Sequence, residues 1–174
     1  MKFARISGKV VSYQKIDRVI EEVFSLREQG FSQQEVASKL KIDRTFISRL
    51  EKMGEIRKGN TIAVIGFPIL NKVELIELLN KYGVEFYIIM TEAERWDFVK
   101  TKSGIQLLNE VVSILAKVKA YETVIIIGSN QRIKIFEAIF DQQVVGIAIG
   151  ESPIEEDKAV DISQLAEILA GIKV

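Results

Sequence analysis

Residues 44–52 of the chain contain several polar side chains that can bind an anion. Arg44 and Arg49 each carry a guanidinium, whose planar set of donors can hold the O6 and N7 atoms of guanine or a phosphate. Thr45 and Ser48 add hydroxyls that can bond to bases or phosphates, and Lys52 adds a further positive charge. These residue types are suited to holding a polyanion by charge and hydrogen bonding.

The chain lacks most of the residue types and motifs that enzymes use for catalysis. The chain has no histidine and no cysteine, which excludes a histidine base, a cysteine nucleophile, disulfides and Cys/His zinc sites. The patterns G-x-G-x-x-G, G-x-x-x-x-G-K-[ST] and G-x-S-x-G, which mark common nucleotide-binding and nucleophile sites, are also missing. The acidic run over residues 151–161 is expected to be a solvated loop. We therefore expect a protein that is not an enzyme and that holds neither a metal nor a cofactor.

A second group of candidate residues follows two apolar runs that end in glycine, at Gly66 and Gly128. In an open α/β sheet, ligands bind beyond the carboxyl ends of the strands, at the point where the strand order reverses. A small anionic effector is the candidate ligand, because helix N-termini favour anions and Arg132 adds a charge. The alternative is that the glycines only make tight turns and that Ser, Asn and Pro cap the helices. The candidate ligand-binding residues are Gly66, Phe67, Asn71, Gly128, Ser129, Asn130 and Arg132.

The elements that position the first group are two short helices within residues 31–54. Ser32 and Glu35 have the spacing of a capping box, which predicts a helix that begins at Gln33, directly after the cap residue Ser32. Asp43 is a good N-cap for a second helix. On one continuous helix, the apolar residues of 31–54 would lie on different faces. If the chain turns at residues 41–43, they all face one core. The sequence therefore predicts two helices with a corner, preceded by a helix over residues 13–29.

The segment Gln33–Lys52 resembles the helix-turn-helix of the lambda-repressor-like (Xre) family of bacterial and phage regulators. Its fifth residue is Ala37, and the family needs a small residue there because the two helices cross closely. The pair Ile47 and Ser48 matches the common Ile/Val-Ser of the second helix in that family. The resemblance covers residues 13–54 and does not extend to the rest of the chain.

The resemblance implies a DNA-reading helix over residues 44–52, which lies in the major groove and presents its N-terminal residues to base edges. The family often has glycine at the turn. This chain has Lys41 there, and we expect a positive φ at a cost of about 1 kcal/mol. The alternative is a plain three-helix bundle for contact with another protein. The candidate DNA-binding residues are Gln33, Lys41, Arg44, Thr45, Ser48, Arg49 and Lys52.

Beyond residue 60, apolar strands alternate with helical patterns. Unbroken rather than alternating apolar runs predict parallel strands that are buried on both faces. We expect a flavodoxin/Rossmann-like three-layer α/β domain with four mainly parallel strands in the order 2-1-3-4. Residues 92–120 form one long helix or two, with a break at Ser103–Gly104, and Ser163 is expected to cap the last helix. The predicted strands are 61–66, 85–90, 123–128 and 144–150.

The charge distribution divides the chain. Residues 1–59 hold 13 Lys/Arg and 8 Asp/Glu, whereas the remaining residues hold 11 and 16. We predict a DNA-binding domain over 1–54, a linker over 55–60, and a domain over 61–174 that binds an effector, dimerises, or does both. The expected function is a sequence-specific, homodimeric transcriptional regulator that binds double-stranded DNA. The alternative is a small-molecule-binding protein or enzyme whose helical domain is a protein-interaction adaptor.

The expected location is the cytoplasm, with no membrane partner. The N-terminus lacks the apolar core of a signal peptide, and the apolar runs are far shorter than the ~20 residues that span a bilayer.

Overall fold

The chain forms two compact units that meet between Glu55 and Ile56. This is seen in a computed structural model, which describes residues 2–173. The first unit holds a two-stranded hairpin and three helices, and the second holds a four-stranded sheet and five helices. The predicted fold class, a helical N-terminal domain followed by a parallel α/β domain, is confirmed.

The helical unit begins with an antiparallel hairpin in which Phe3 lies opposite Ser12. Ser7 and Gly8 both have positive φ, of 47° and 81°, as a tight two-residue hairpin turn requires. Ser12 then caps the first helix by accepting a hydrogen bond from the Lys15 amide at 3.3 Å. The elements are β1 (Phe3–Ile6), β2 (Lys9–Ser12), α1 (Tyr13–Glu28), α2 (Gln33–Leu40) and α3 (Arg44–Gly54).

The predicted corner between α2 and α3 is confirmed, together with both of its caps. The Ser32 hydroxyl accepts from the Glu35 amide at 3.2 Å, and the Glu35 carboxylate accepts from the Ser32 amide at 2.7 Å. Asp43 accepts from the Thr45 amide at 2.6 Å. Lys41 has φ 54° and ψ 44°, so the expected left-handed conformation is present.

The second unit is an open sheet of four parallel strands in the order β4-β3-β5-β6. Numbered within the sheet, this is the predicted order 2-1-3-4. The break at Ser103–Gly104 is also confirmed, because Ser103 caps a separate helix there. The elements are β3 (Ile62–Gly66), α4 (Lys72–Lys81), β4 (Phe86–Ile89), α5 (Glu92–Lys100), α6 (Gly104–Val118), β5 (Thr123–Ser129), α7 (Asn130–Ile139), β6 (Gln143–Gly150) and α8 (Ile162–Ile172).

Helices cover both faces of the sheet, so the predicted three layers are present. On one face, Ile62 and Val64 pack with buried leucines of α4 and α8. On the other face, Ala63 and Ile65 pack with Val118 of α6 and with residues of α7. Every residue of β3 and β5 is buried, as the unbroken apolar runs predict.

Two local features differ from or refine the expected layout. The cap of α8 is Asp161 rather than Ser163, because the Asp161 carboxylate accepts from the amides of Ser163 and Gln164, both at 3.0 Å. The segment that leads into β3 is attached to the α/β unit: the Gly59 amide donates to the Ile172 carbonyl at 2.9 Å, and the Arg57 amide donates to Gln143 at 2.6 Å.

Candidate functional site

One face of α3 presents the polar residues that the sequence selects. At about 100° of rotation per residue, Thr45, Ser48, Arg49 and Lys52 fall within an arc of about 100°. All four side chains are exposed, and Arg44 is exposed beside them in the first turn. Two guanidiniums, an ammonium and two hydroxyls therefore face solvent on a single helix surface.

The opposite face of α3 fixes its position on α2. Ile47 is fully buried against Val36 and Ala37 of α2 and against Val23 of α1. Ala37 retains only 5% of its exposure, which shows how closely the helices approach at this small residue. The Ile42 amide donates to the Ala37 carbonyl at 3.1 Å and closes the end of α2. Burial and capping together hold the polar face of α3 rigidly outward.

Gln33 has a partner inside the helical unit. Its Nε2 donates to Glu51 Oε2 at 2.7 Å, while Arg27 Nε donates to Glu51 Oε1 at 2.5 Å. The hydrogen bond from Arg27 is the main cause that lowers the pKa of Glu51. These bonds tie α2 to α3 and α1 to α3. Sequence reasoning missed Arg27 and Glu51, since 24 residues separate them and no local pattern links them.

The candidate effector residues meet at the carboxyl edge of the sheet. Gly66 is the last residue of β3 and Gly128 is the penultimate residue of β5, and these two central strands are neighbours. A Cβ on Gly66 would lie 3.1 Å from Ile89 and 3.3 Å from Ile127, so the close packing favours glycine here. Arg132 reaches across from α7: its Nη1 donates to the Phe67 carbonyl at 3.0 Å, and its guanidinium lies 4.1 Å from the centre of the Phe67 ring.

Other members of this group bond to the protein itself. The Asn71 side chain donates to the Val160 carbonyl and accepts from the Val160 amide, both at 2.9 Å. Asn130 accepts from the Gln131 amide at 2.8 Å and from the Ser152 amide at 3.3 Å. These residues build the edge of the sheet and anchor the segment after β6.

Sequence reasoning missed a second arginine at this edge. Arg95 of α5 binds Glu92 through two bonds, from Nε at 2.8 Å and from Nη2 at 2.5 Å. The bond from Arg95 is the main cause that lowers the pKa of Glu92. Burial lowers the pKa of Arg132, repulsion from Arg95 lowers it further, and attraction to Glu92 opposes both effects. Arg95 therefore holds the Glu92 carboxylate by direct bonds, and Arg132 is attracted to that carboxylate without bonding to it.

Comparisons of the chain with protein-family models, with curated proteins and with solved structures found no match. Functional inference therefore depends on the side chains and on the surfaces that the fold gives them. Those surfaces are the polar face of α3 and the carboxyl edge of the sheet.

Metal binding and membrane crossing are two further properties that concern residues 2–173. Across that range, His, Cys, Asp and Glu form no group of three that could hold a metal ion. Two carboxylates of the acidic run after β6 accept hydrogen bonds within the protein: Asp157 accepts from the Glu92 amide at 2.6 Å, and Asp161 caps α8. Over the same described residues, no helix combines the length and apolar character needed to cross a bilayer.

Proposed function

We propose that the protein is a sequence-specific DNA-binding transcriptional regulator. Its helical unit acts as an Xre-type helix-turn-helix, and its α/β unit pairs two copies and binds an effector. The observation that carries the proposal is the exposed polar face of α3, which points outward because Ile47 is buried and Leu50 is half-buried against the rest of the unit.

The chemistry of this face suits the major groove of DNA, which is wide enough to admit an α-helix. Arg44 and Thr45 lie in the first turn, from which recognition helices contact base edges. Ser48 and Arg49 follow on the next turn. A guanidinium that holds guanine through two bonds contributes roughly 1–3 kcal/mol of discrimination against other bases.

Phosphate contacts are assigned to the residues around this face. Lys41 at the turn and Lys52 near the end of α3 are both exposed and positively charged. Gln33 already donates one amide hydrogen to Glu51, and the second hydrogen of the same nitrogen is left for a phosphate oxygen. Such contacts add affinity that does not depend on base sequence.

We assign the pairing of two copies to α6. Ile105, Leu108 and Val112 remain 76%, 63% and 55% exposed, although they are large and apolar. They recur at spacings of three and four residues, the pattern of a helix that packs along a second helix. No charged residue falls within this stripe, so a second copy of α6 can cover it around a two-fold axis.

A salt-dependent binding assay tests the DNA-binding proposal. The full-length protein should bind labelled duplex DNA at low salt, and the logarithm of its affinity should fall linearly with the logarithm of salt concentration. The double variant Arg44→Ala, Arg49→Ala should lose roughly 30-fold or more in affinity for a preferred sequence. A control, Lys81→Ala with Lys134→Ala, removes the same charge from exposed positions of the α/β unit and should bind like the unchanged protein. The absence of binding even at low salt would reject the proposal.

A further inference from the structure

A cavity of about 500 Å³ lies between the sheet and the helices α5 and α6. Thirteen residues line it, and all except Arg95 and Glu110 are apolar. Its floor includes Ile65 and Ile88, near the carboxyl ends of β3 and β4, and Phe67 directly after β3. Ligand sites in proteins are mostly apolar cavities of roughly 300–1,000 Å³ with a few polar groups, and open α/β sheets bind ligands at this edge.

The two helices leave this space open because α5 is not packed into the core. No residue of α5 is buried, and Val99 is 40% exposed although it lines the cavity. On α6, Leu107 lines the cavity but is absent from the cluster that packs on this face of the sheet. The space is apolar and partly open to solvent, so it can admit the hydrocarbon body of a ligand.

The charges at the cavity favour an anion. Glu110 is paired with Lys102 at 3.2 Å, so its charge is balanced locally. Arg95 lines the cavity, and Arg132 stacks on Phe67, whose ring is part of the lining. Glu92 accepts from Nε and Nη2 of Arg95, so the net positive charge among these three residues is that of Arg132, and Arg95 keeps Nη1 for an incoming anion. An incoming carboxylate would offset the repulsion between the two guanidiniums.

We propose that this cavity binds an apolar monocarboxylate, with its hydrocarbon body against Ile65, Ile88 and Leu107 and its carboxylate at Arg95. The acid is a medium-length acyl chain or an aromatic acid, which share the same chemistry. The cavity is thus the site of the proposed effector, and the effector is a monocarboxylate. The effect of the acid on DNA binding rests on the proposed function, whereas binding of the acid to the cavity does not.

The test uses the full-length protein without DNA and three probes: decanoate, 2-naphthoate and the neutral decanol. In methyl NMR spectra, an acid that binds should shift the signals of Ile65 and Ile88. It should leave Ile62 and Ile69 unchanged, because they lie in the core on the opposite face of the sheet. A response to decanoate alone indicates an acyl chain, and a response to 2-naphthoate alone indicates an aromatic body. If neither acid shifts the cavity methyl signals, the proposal is wrong.

Two pairs of variants test the assigned contacts by titration calorimetry. Arg95→Met should weaken acid binding about tenfold or more, since a charge-assisted hydrogen bond is lost, and should leave decanol binding unchanged. Its control, Lys100→Met, removes an exposed charge from the same helix. Leu107→Trp should fill the cavity and abolish binding, whereas Ser113→Trp on the exposed polar side of α6 should not. Equal binding of decanol and decanoate would contradict the role of Arg95, and the NMR test remains decisive if a variant does not fold.

Discussion

Lys41 connects the fold and the proposed function at the scale of one residue. Its side chain stands at a left-handed position, with φ 54° and ψ 44°, where a Cβ is strained. Lys41→Gly should therefore raise the free energy of unfolding of the helical unit, by a few tenths to about 1 kcal/mol. The same change removes a proposed phosphate contact, so DNA affinity should fall about equally for all sequences and the salt slope should decrease by about one. Thermal unfolding and salt titration measure the two effects.

Lys39→Gly is the matched control for this residue. Lys39 is exposed and lies two residues earlier, inside α2, where glycine costs about 1 kcal/mol relative to a good helix former. The two variants remove the same side chain and should change stability in opposite directions. A similar loss of stability in both would contradict the assignment of strain to Lys41.

Residue-scale features were predictable where they depend on local spacing. The capping box at Ser32 and Glu35 and the cap at Asp43 follow from contacts over two or three residues, and all of them are present. The pair formed by Arg27 and Glu51 is not local and could not be found from the sequence. Ser163 shows the limit of local patterns: it is a good cap residue by type, but Asp161, two residues earlier, is the residue that caps α8.

At the scale of an element, α6 divides its apolar surface between two tasks. Val118 is fully buried, and Ile114 and Leu115 pack against the cluster under the sheet. Ile105 and Leu108 face away from that cluster and remain exposed. Large contiguous apolar patches on a soluble domain mark interaction sites, which is the basis for assigning this stripe to a second copy.

Leu108→Glu should convert a dimer into a monomer, because a carboxylate buried at the centre of the paired stripe would lose its hydration without gaining a partner. Light scattering coupled to size-exclusion chromatography measures the mass directly. Ser113→Glu places the same charge on the polar side of α6 and should leave the mass unchanged. A dimer that persists in Leu108→Glu, or a monomeric unchanged protein, would contradict the assignment of this surface.

Element boundaries in the α/β unit were largely predictable, whereas the use of their surfaces was not. The sequence allows one long helix or two over residues 92–120, and the two-helix alternative with its break at Ser103–Gly104 is the one observed. The sequence also shows that α6 has more apolar residues than one face of a sheet requires. It does not show which of them remain exposed, because that depends on how α5 and α6 lie on the sheet. The cavity beneath α5 has no sequence signal for the same reason.

At the scale of the whole molecule, the alternation of strands and helices was sufficient to predict the architecture. Unbroken apolar strands required cover on both faces, and right-handed crossovers then limited the possible topologies to a few. The observed order β4-β3-β5-β6 brings Gly66 and Gly128 together, as expected. The candidate effector site differs from the expected polar anion site. Asn71 and Asn130 bond within the protein, and the cavity that Phe67 lines is mostly apolar.

In the proposed function, the helical unit reads a DNA sequence and the protein does so as a pair of copies. Selection of bound duplexes from a random-sequence library, with full-length protein at physiological salt, tests both parts at once. We predict enrichment of an inverted repeat whose half-sites are separated by about 10 base pairs, or a multiple of that distance, and loss of the enrichment in the Arg44→Ala, Arg49→Ala variant. A library that stays random after selection, or the same enriched sequence with the double variant, would contradict the account.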